Sequence, residues 1–466
     1  MISYGEFLKS KEIVAAQSGF TVDKETLNPQ AFDWQKDVVA WALRKGRCAL
    51  FEDCGLGKTL QQLMWAGEVV KHTGKPVMIF APLAVVKQTE AEAEKFGEMA
   101  VPVRSMDEIK GPGVYATNYD IADHFELSGF GGVVLDESSI LKDFTSKTKN
   151  TLMELCEGVE FKLCCTATPS PNDYTELGNH AEFLGVMSRT EMLATFFVHD
   201  GGNTSKWRLK GHAKKDFFAW VASWACCMTT PADLGYPGED YQLPELDIVE
   251  HEVKADKLLD SEGQTMLFSP MTQTLSARRE ARRDSLEKRV EKAAEIANGT
   301  DEQFLVWCDL NAESEMLHKE IQGSVEVKGT DHPDHKVETM QDFGTEKVRC
   351  LVSKPSIAGW GMNWQQCHRM IFVGLSDSFE AYYQAVRRCW RFGQKNPVTV
   401  DIVISDADGA VKANIERKQR EAQELTKELV KYTKDILRED IKATGRMQES
   451  YIATEEMIIP EWLEAA

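Results

Sequence analysis

The chain has 466 residues, of which 42% are hydrophobic and 27% charged. At roughly 150 residues per domain, this length accommodates about three domains or two large ones, which excludes a small disulfide scaffold and, with this composition, wholesale disorder. The 54 Lys and Arg against 74 Asp and Glu give a formal net charge of −20. Any anionic partner must therefore be attracted by a local basic patch, so bulk charge argues mildly against nucleic acid.

The N-terminal residues and the cysteines indicate the compartment. Met1 to Glu6 lack the charged start and apolar run of a secretory signal, and no apolar stretch approaches the roughly 18 residues of a membrane span. The 11 cysteines are an odd number without a C-x-x-C motif, which favours reduced, mostly buried thiols over disulfides or zinc. We expect a soluble cytoplasmic protein without a membrane partner.

Short β-branched runs alternate with helical patterns along the chain, which is typical of parallel sheets built from βαβ units. They form two sets. The first set of predicted strands lies near Cys48 to Phe51, Val77 to Phe80, Gly113 to Thr117, Val133 to Leu135 and Lys162 to Cys165. The second set lies near Phe304 to Trp307, Ser324 to Lys328, Arg349 to Ser353, Met370 to Val373 and Val398 to Ile404.

Between the two sets, the character of the sequence changes. A turn-rich segment over 236–240 precedes an alternating segment over 248–253, and a charged helical pattern runs from Ala277 to Ala297. We interpret this stretch as a connector that leads to a second lobe. After the second set, a long polar helix is predicted from Ala410 to Glu439.

The first chemical motif follows the first predicted strand. Residues 52–59 read Glu-Asp-Cys-Gly-Leu-Gly-Lys-Thr, and a helical pattern follows. Small residues let backbone N–H groups surround phosphate oxygens, Lys58 adds positive charge, and the Thr59 hydroxyl can bind Mg²⁺. Glu52 stands where the strict phosphate-loop pattern has its first glycine. A purely structural turn is the alternative, but the context favours nucleotide binding.

Two acidic residues end a second apolar strand. Asp136 and Glu137 follow the run over 132–135, which puts them at the carboxyl edge of the sheet, where ligands of open α/β sheets bind. Asp136 would hold Mg²⁺, and Glu137 would orient and polarise the attacking water. The alternative is that both residues cap the following helix.

Three further segments complete the set. Residues 163–169 end in Thr-Ala-Thr-Pro, residues 359–364 read Gly-Trp-Gly-Met-Asn-Trp, and residues 384–394 read Gln-Ala-Val-Arg-Arg-Cys-Trp-Arg-Phe-Gly-Gln. Arg388 and Arg391 occupy one helical face, and guanidinium groups match the geometry of phosphate. An ordinary solvated face is the alternative.

In this order, the motifs resemble those of superfamily 2 helicase-like ATPases, and within them a compact bacterial or phage form of the Swi/Snf-type DNA translocases. Residues 32–35 resemble the adenine-recognition motif, 55–59 the phosphate loop, 81–83 and 116–119 the strand-tracking motifs, 136–137 the DExx box, 166–169 the motif that couples hydrolysis to movement, 359–363 the G-G-x-G-L-N motif and 384–394 the Q-A-x-x-R-x-x-R-x-G-Q motif. The resemblance covers roughly residues 30 to 425. Residues 376–380 depart from the W-N-P segment of the family.

The resemblance implies an α/β fold of two RecA-like parallel-sheet lobes with the ATP site in the cleft between them. We expect the N-terminal ATP-binding lobe over 1–235, a connector and helical linker over 236–298, the C-terminal lobe over 299–430 and a C-terminal extension over 431–466.

The resemblance also implies ATP and Mg²⁺ as cofactors. Arg388 and Arg391 would reach the phosphates from the second lobe as arginine fingers. The catalytic candidates are Lys58, Asp136, Glu137, Arg388 and Arg391. The nucleotide-binding candidates are Gln35, Cys54, Gly55, Leu56, Gly57, Lys58, Thr59, Gly361 and Gln384, and the metal-binding candidates are Thr59 and Asp136.

The implied partner is nucleic acid, foremost double-stranded DNA bound through its backbone across both lobes. The candidate contacts are Pro82, Thr117, Asn118, Lys206 and Arg208. Two basic clusters, over 206–215 and 278–283, are further candidates, and an exposed loop and a solvated helix are equally open interpretations of them.

The leading functional hypothesis is a nucleic-acid-dependent ATPase that acts as an ATP-driven double-stranded-DNA translocase. A strand-separating DNA or RNA helicase is one alternative. A nucleotide-binding clamp or assembly subunit without turnover is another.

Overall fold

Two parallel β-sheets, one in each half of the chain, form the centres of two lobes. The computed structural model describes residues 14–143, 145–200, 203–254, 285–358, 362–376, 378–405 and 409–442. The expected α/β architecture of two lobes, each built on a parallel sheet, is confirmed. No helix in these ranges is long and apolar enough to cross a membrane. The 11 cysteines are all free and ten of them are buried, as the sequence predicts.

In the described part of the first lobe, seven strands form one sheet and two form a hairpin. The strands are β1 (Arg47–Glu52), β2 (Val77–Ala81), β3 (Val101–Pro102), β4 (Val114–Asn118), β5 (Gly132–Asp136), β6 (Phe161–Thr166), β7 (Phe197–Asp200), β8 (Asn203–Leu209) and β9 (Ala225–Met228). The sheet order is β3-β4-β2-β5-β6-β1-β9 with parallel neighbours, and β7 and β8 pair antiparallel.

Helices cover both faces of this sheet, which explains why its strands are almost continuously apolar. Trp41 and Trp65 are fully buried on one face, and Trp220 and Trp224 on the other. The helices are α1 (Asp33–Lys45), α2 (Lys58–Thr73), α3 (Leu83–Phe96), α4 (Lys147–Leu155), α5 (Leu177–Leu184), α6 (Arg189–Phe196) and α7 (Lys214–Ala222).

The second lobe has a smaller sheet with the same parallel arrangement. Its strands are β10 (Leu246–Val253), β11 (Phe304–Trp307), β12 (Ser324–Glu326), β13 (Cys350–Ser353), β14 (Arg369–Val373) and β15 (Val398–Ser405). Their order is β10-β15-β14-β11-β13-β12, all pairs parallel. The helices are α8 (Leu286–Asn298), α9 (Asn311–Glu320), α10 (Pro333–Gly344), α11 (Pro355–Ala358) and α12 (Phe379–Val386).

All ten predicted strands are present, but the structure contains more strands than the sequence predicts. Strand β10, expected to be part of a connector, pairs with β15 over eight residues at the edge of the second sheet. Helix α8, also within 236–298, buries Val290 and Ala293 in the core of the second lobe. The second lobe thus includes elements from the expected connector, and the exact lobe boundaries stay predictions. The basic cluster over 278–283 lies outside the described residues.

A long helix, α13 (Gly409–Lys442), joins the two lobes a second time. Its 34 residues span about 50 Å at 1.5 Å per residue. Val411 and Ile415 pack in the core of the second lobe, whereas Leu437 and Ile441 pack in the core of the first. The predicted polar helix is confirmed, yet it crosses the expected boundary at residue 430 without interruption.

The end of α13 is fastened to α1 by charge as well as by apolar packing. Asp440 pairs with Arg44 at 2.8 Å and with Lys45 at 2.9 Å, and it accepts a hydrogen bond of 2.8 Å from Trp41 Nε1. Burial tends to raise the pKa of Asp440, but Lys45, Trp41 and Arg44 together lower it. The C-terminal half of α13 is therefore an integral part of the first lobe.

The buried end of α13 gives a stability prediction. Leu437 is fully buried, whereas its neighbour Ile436 is 40% exposed. Leu437→Ala should lower the free energy of unfolding by about 2–5 kcal/mol because it leaves a cavity in the first lobe, and Ile436→Ala should cost well under 1 kcal/mol. Urea denaturation of both variants measures the difference. Equal losses would show that α13 does not pack on the first lobe in solution.

Strand β1 ends at a carboxyl group that the fold buries completely. Glu52 is 0% exposed; its Oε2 accepts a hydrogen bond of 2.8 Å from Gln61 Nε2, and its Oε1 has no partner. Burial raises the pKa of Glu52 to about 7, against the opposing effect of the Lys58 charge. Keeping this carboxyl ionised above pH 7 therefore costs stability.

This burial makes stability depend on pH in a defined direction. Because the pKa in the fold lies above the ordinary value of 4.5, the folded state binds more protons, and stability falls as pH rises from 4.5 to about 7. Glu52→Gln should remove this penalty and be more stable than the wild type at pH 8 by up to about 3 kcal/mol. The gain should shrink toward zero near pH 5.

Denaturant unfolding at pH 5, 6, 7 and 8 tests the direction, with the exposed Glu338→Gln as the control that should show no such trend. A gain of the same size at pH 5 and pH 8 would mean that packing of the amide, and not ionisation of Glu52, sets the difference.

Candidate functional site

The two lobes meet over the carboxyl ends of β1 and β5, where they enclose a cavity of ≈ 70 Å³. All five catalytic candidates line it, three from the first lobe and two from the second. The lining residues are Cys54, Gly55, Gly57, Lys58, Thr59, Val85, Gln88, Glu92, Asp136, Glu137, Arg388 and Arg391. Residues that lie some 250 to 330 positions apart in the sequence thus share one cleft.

The loop over 53–57 has the backbone geometry of a tight strand-to-helix turn. Gly55 and Gly57 adopt φ values of 89° and 77°, which side chains other than glycine rarely tolerate. The Lys58 ammonium donates hydrogen bonds to the Glu52 and Asp53 carbonyl oxygens at 2.8 and 3.1 Å. Glu52 is the last residue of β1, so the departure from the strict motif falls in the strand and not in the loop.

Gln35 supports this loop from the first turn of α1. Its Nε2 donates to the Leu56 carbonyl oxygen at 2.9 Å, and its Oε1 accepts from the Phe32 backbone N–H at 3.0 Å. The Leu56 side chain itself is buried in the core of the first lobe. The nucleotide-binding candidates Gln35 and Leu56 therefore contact each other through the Gln35 side-chain amide and the Leu56 carbonyl oxygen.

Asp136 and Glu137 bring two buried carboxyl groups to the end of β5. Asp136 Oδ1 accepts hydrogen bonds from Gln62 Nε2 at 2.8 Å and from the Glu137 backbone N–H at 3.1 Å. Glu137 Oε2 has no partner. Burial raises the pKa of both groups; the charge of Asp136 raises that of Glu137 further, and Arg388 acts in the opposite direction. The Glu137 carboxylate therefore keeps one buried oxygen available to a ligand in the cavity.

Glu137 also has an unusual backbone conformation, with φ 54°. A non-glycine residue in this region stores strain and is found disproportionately at functional sites. The following 3₁₀ turn, Ser138–Lys142, receives no side-chain cap from Glu137. The helix-capping alternative for this glutamate is therefore not observed.

The two arginines from the second lobe are held in place by their own lobe. Arg388 donates to the Gln384 side chain at 2.6 Å and to the Gln384 and Met362 carbonyl oxygens at 2.8 and 3.1 Å. Arg391 donates to the Met362 carbonyl oxygen at 3.2 Å. Arg388 is only 2% exposed, and burial lowers the pKa of Arg391 to about 10. This segment is not a solvated basic face.

Gln384 is a bridge between lobes. Besides holding Arg388, it donates from Nε2 to the Thr168 hydroxyl at 3.5 Å. Thr168 in turn donates to Glu380 Oε1 at 3.5 Å. The segment over 166–169, at the end of β6, thus contacts α12 of the second lobe.

The nucleic-acid candidates are spread over several places. Pro82 and Asn118 lie at the carboxyl ends of neighbouring strands, where Ala81 pairs with Asn118. Thr117 is 1% exposed and its hydroxyl is buried, so it cannot contact a polynucleotide as it stands. Gly361, a nucleotide-binding candidate, lies outside the described residues, as does the side chain of Lys206.

The basic cluster over 206–215 is only partly available to a partner. Arg208 is exposed on β8. In contrast, Lys210 donates to the Ala194 and Thr195 carbonyl oxygens at 2.9 and 2.8 Å, and Lys214 pairs with Glu428 of α13 at 2.6 Å. Two of the basic side chains of this cluster, Lys210 and Lys214, are therefore used within the protein.

Several residues at the cleft were not predicted. Gln62 holds Asp136, Gln88 and Glu92 of α3 line the cavity, and Arg387 contacts the phosphate loop. The adjacent glutamines directly after the loop were a usable signal for Gln62, because the first turn of that helix must face the site. Arg387 occupies a variable position of the Q-A-x-x-R-x-x-R-x-G-Q motif, so the motif gives no signal for its contact.

The donor groups in the cleft fit a divalent cation held together with phosphate. Thr59 and Asp136 line the same cavity as Lys58. Among the described residues, no group of three or more His, Cys, Asp or Glu could hold a metal by itself. Mg²⁺ is bound through one or two carboxylates together with substrate phosphates and water, which agrees with one carboxylate and one hydroxyl here.

Comparison with known proteins gives two family matches. Residues 34–197 match the family model of the SNF2-related domain, and residues 285–393 match the helicase conserved C-terminal domain. Together these stretches make up more than half of the chain and include the catalytic candidates of both lobes.

Individual relatives match about a third of this chain. The mouse (Mus musculus) DNA annealing helicase and endonuclease ZRANB3 is 26% identical over 185 residues, which are 36% of this chain and 17% of that protein. The mouse chromodomain-helicase-DNA-binding protein 6 is 29% identical over 182 residues, which are 33% of this chain and 7% of that protein. The chain therefore matches less than a fifth of the length of these curated relatives.

A solved structure, the Sulfolobus solfataricus SWI2/SNF2 ATPase core in complex with dsDNA, aligns over 92% of this chain and 98% of its own at 18% identity and a TM-score of 0.41. The family assignment comes from the two domain matches and from their order along the chain. With a SNF2-related domain followed by a helicase conserved C-terminal domain, the chain belongs to the Swi/Snf-type helicase-like proteins of superfamily 2.

Proposed function

We propose that this protein hydrolyses Mg²⁺-ATP to move along double-stranded DNA without necessarily separating the strands. The observation that carries the proposal is the shared cavity, which Lys58, Asp136 and Glu137 line from one lobe and Arg388 and Arg391 from the other. Nucleotide use with a divalent metal is general in the family. A binding clamp without turnover would have no need of this complete set.

The chemistry follows from the charges and free groups in the cleft. Lys58 would exchange its backbone acceptors for phosphate oxygens, and the free Oε2 of Glu137 would accept a hydrogen bond from the attacking water and orient it. Arg388 and Arg391 would stabilise the charge of the transition state, an effect worth on the order of 10³ to 10⁵ in rate. Thr59 and Asp136 would hold Mg²⁺, which when bound neutralises phosphate oxygens.

Hydrolysis would be coupled to motion through the contacts of Thr168. This residue bonds to Gln384 and Glu380 of α12, and Gln384 also holds Arg388. A change in the arginines on hydrolysis would therefore reach the interface between the lobes. Repeated changes in lobe position would advance the protein along a polynucleotide held by its backbone.

DNA is the proposed partner for two reasons. The names of the curated relatives describe a DNA annealing helicase and a helicase-DNA-binding protein. Pro82 and Asp120 of the first lobe, with Lys336 and Ser356 of the second, line a cleft of ≈ 260 Å³, so a nucleic-acid backbone that follows it would touch both lobes.

We further propose a cytoplasmic location in a bacterial or phage-infected cell, on the sequence pattern alone.

The proposal predicts which polynucleotide stimulates hydrolysis. Duplex DNA should increase ATP hydrolysis strongly over the protein alone, and more than single-stranded DNA or RNA does. Lys58→Ala and Arg391→Ala should each lose the stimulated rate by about 10³-fold or more, since each removes charge stabilisation at the phosphates. Steady-state phosphate release at low salt measures this. Preference for single strands would favour a strand-separating helicase instead.

A second variant separates binding from chemistry. Glu137→Gln keeps the shape of the side chain but cannot polarise water, so kcat should fall by about 10²- to 10⁴-fold while ATP still binds. Glu94→Gln, an exposed residue of α3, is the matched control and should behave as the wild type. Stopped-flow binding of a fluorescent ATP analogue and phosphate release give the two quantities. Full activity of Glu137→Gln would assign the base to another group.

A further inference from the structure

Arg387, the first of the three arginines in the 384–394 segment, contacts different groups from Arg388 and Arg391. Arg387 Nη2 pairs with Asp53 Oδ2 at 2.9 Å and donates to the Cys54 carbonyl oxygen at 2.9 Å. Tyr383, one turn earlier in α12, donates from its hydroxyl to Asp53 Oδ1 at 2.7 Å. The Arg387 side chain is 4% exposed. Two groups of the second lobe thus hold both oxygens of one carboxylate in the first.

These contacts fall on the start of the phosphate loop. Asp53 and Cys54 connect β1 to Gly55, and the Asp53 carbonyl oxygen accepts from Lys58 at 3.1 Å. Asp53 Oδ1 also accepts from the Cys54 backbone N–H at 2.6 Å. Its carboxylate therefore links the second lobe directly to the backbone that forms the loop.

Phe392 makes a third contact with the same loop. A Cβ atom built at Gly55 would lie 2.8 Å from Phe392 Cβ, which leaves room for a glycine only. Phe392 follows Arg391 directly in the chain. The second lobe consequently contacts three successive loop residues, 53 to 55, through the same segment that carries the two cavity-lining arginines.

General adhesion between lobes does not require this arrangement. Lys142 and Glu380 form another ion pair across the interface, and it involves no residue of the loop. A buried ion pair adds little net stability compared with apolar packing. A guanidinium that bonds a carboxylate and a carbonyl oxygen at once, however, fixes one geometry. Arg387 therefore fixes the position of the second lobe on the loop.

We propose that Arg387 is a positioning residue that sets the second lobe in register on the phosphate loop, through Asp53 and the Cys54 carbonyl group. With this register, Arg388 and Arg391 reach the cavity that Lys58 and Glu137 line, while Arg387 itself does not line it. The consequence for catalysis rests on the proposed ATPase function, whereas the consequence for the loop does not.

Loss of Arg387 should loosen the loop before it affects the rest of the fold. From the first lobe, side chains support the loop backbone through Lys58 on the Asp53 carbonyl oxygen at 3.1 Å, and through Gln35 and Gln61 on the Leu56 carbonyl oxygen at 2.9 and 3.5 Å. None of these contacts involves the Asp53 carboxylate or the Cys54 backbone. The backbone N–H of Cys54 should then exchange with solvent more readily.

Hydrogen–deuterium exchange of the full-length protein without nucleotide tests this directly. In Arg387→Gln, the peptide that covers residues 50–60 should exchange roughly tenfold faster than in the wild type. Tyr383→Phe, which removes one hydroxyl, should show a smaller increase. Lys142→Gln breaks the Lys142–Glu380 ion pair between the lobes and is the matched control, expected to leave this peptide unchanged. Equal exchange in Arg387→Gln and Lys142→Gln would overturn the proposal.

A double-mutant cycle tests the catalytic consequence. Arg387→Gln and Asp53→Asn should each lower kcat/KM for stimulated ATP hydrolysis roughly tenfold. The double variant should have the same kcat/KM as the less active of the two single variants, because both substitutions break the same Arg387–Asp53 contact. Losses that multiply to about 100-fold would contradict the proposal. Arg387→Lys should not restore activity, since a single ammonium cannot reproduce the fork.

The two arms distinguish the possible failures. If the wild type hydrolyses no ATP with any polynucleotide, the proposed function fails, and the exchange experiment still decides the role of Arg387. If Arg387→Gln does not fold, Tyr383→Phe carries the exchange test alone, and unchanged exchange in that variant would overturn the proposal.

Discussion

Burial of two neighbouring carboxyl groups is the constraint around which the site is built. Asp136 and Glu137 end β5 inside the protein, and burial raises the pKa of both. Such groups stay ionised only with positive charge nearby. Lys58 supplies it from the same lobe and Arg388 from the other. Neither lobe holds the full set, so the site is complete only where the lobes meet. Polynucleotide-dependent hydrolysis would be a direct consequence of this division.

The chain connects the lobes in a way that restricts how they can move. Helix α13 begins in the core of the second lobe at Val411 and ends in the core of the first at Ile441. Because this helix of 34 residues packs in both lobes, relative motion of the lobes would have to bend it, slide it or release one of its ends. Its contacts with α7 include Phe218 stacked on Tyr432 at 4.9 Å. Lobe motion and the packing of α13 are thus mechanically linked.

Much of the fold could be predicted because both sheets are parallel and covered on both faces. Buried strands such as Val77–Ala81 are continuous apolar runs and stand out in the sequence. Strand β9, Ala225–Met228, contains no β-branched residue and was missed, and β10 was assigned to the connector because its exposed edge mixes apolar with charged residues. Leu437 and Ile441 lie four apart in a largely polar helix, which hid its buried face.

The candidate site, too, could be predicted only in part from the sequence. Lys58, Asp136, Glu137, Arg388 and Arg391 could be identified because each belongs to a short motif of fixed spacing, and their convergence followed from the expected fold. The contact of Arg387 with Cys54 joins residues 333 positions apart. The motif assigns Arg388 and Arg391 to its two arginine positions and leaves Arg387 at a variable one, so it does not indicate what Arg387 contacts; the packing of α12 against the first lobe decides this.

The central claim is that ATP hydrolysis in the cleft drives movement along intact duplex DNA. Displacement of a triplex-forming third strand from a duplex tests it most directly, since translocation removes the third strand while the two strands beneath stay paired. The account predicts ATP-dependent release of the third strand with the duplex preserved. Release that requires separation of the duplex, or hydrolysis stimulated by duplex DNA without any release, would contradict it.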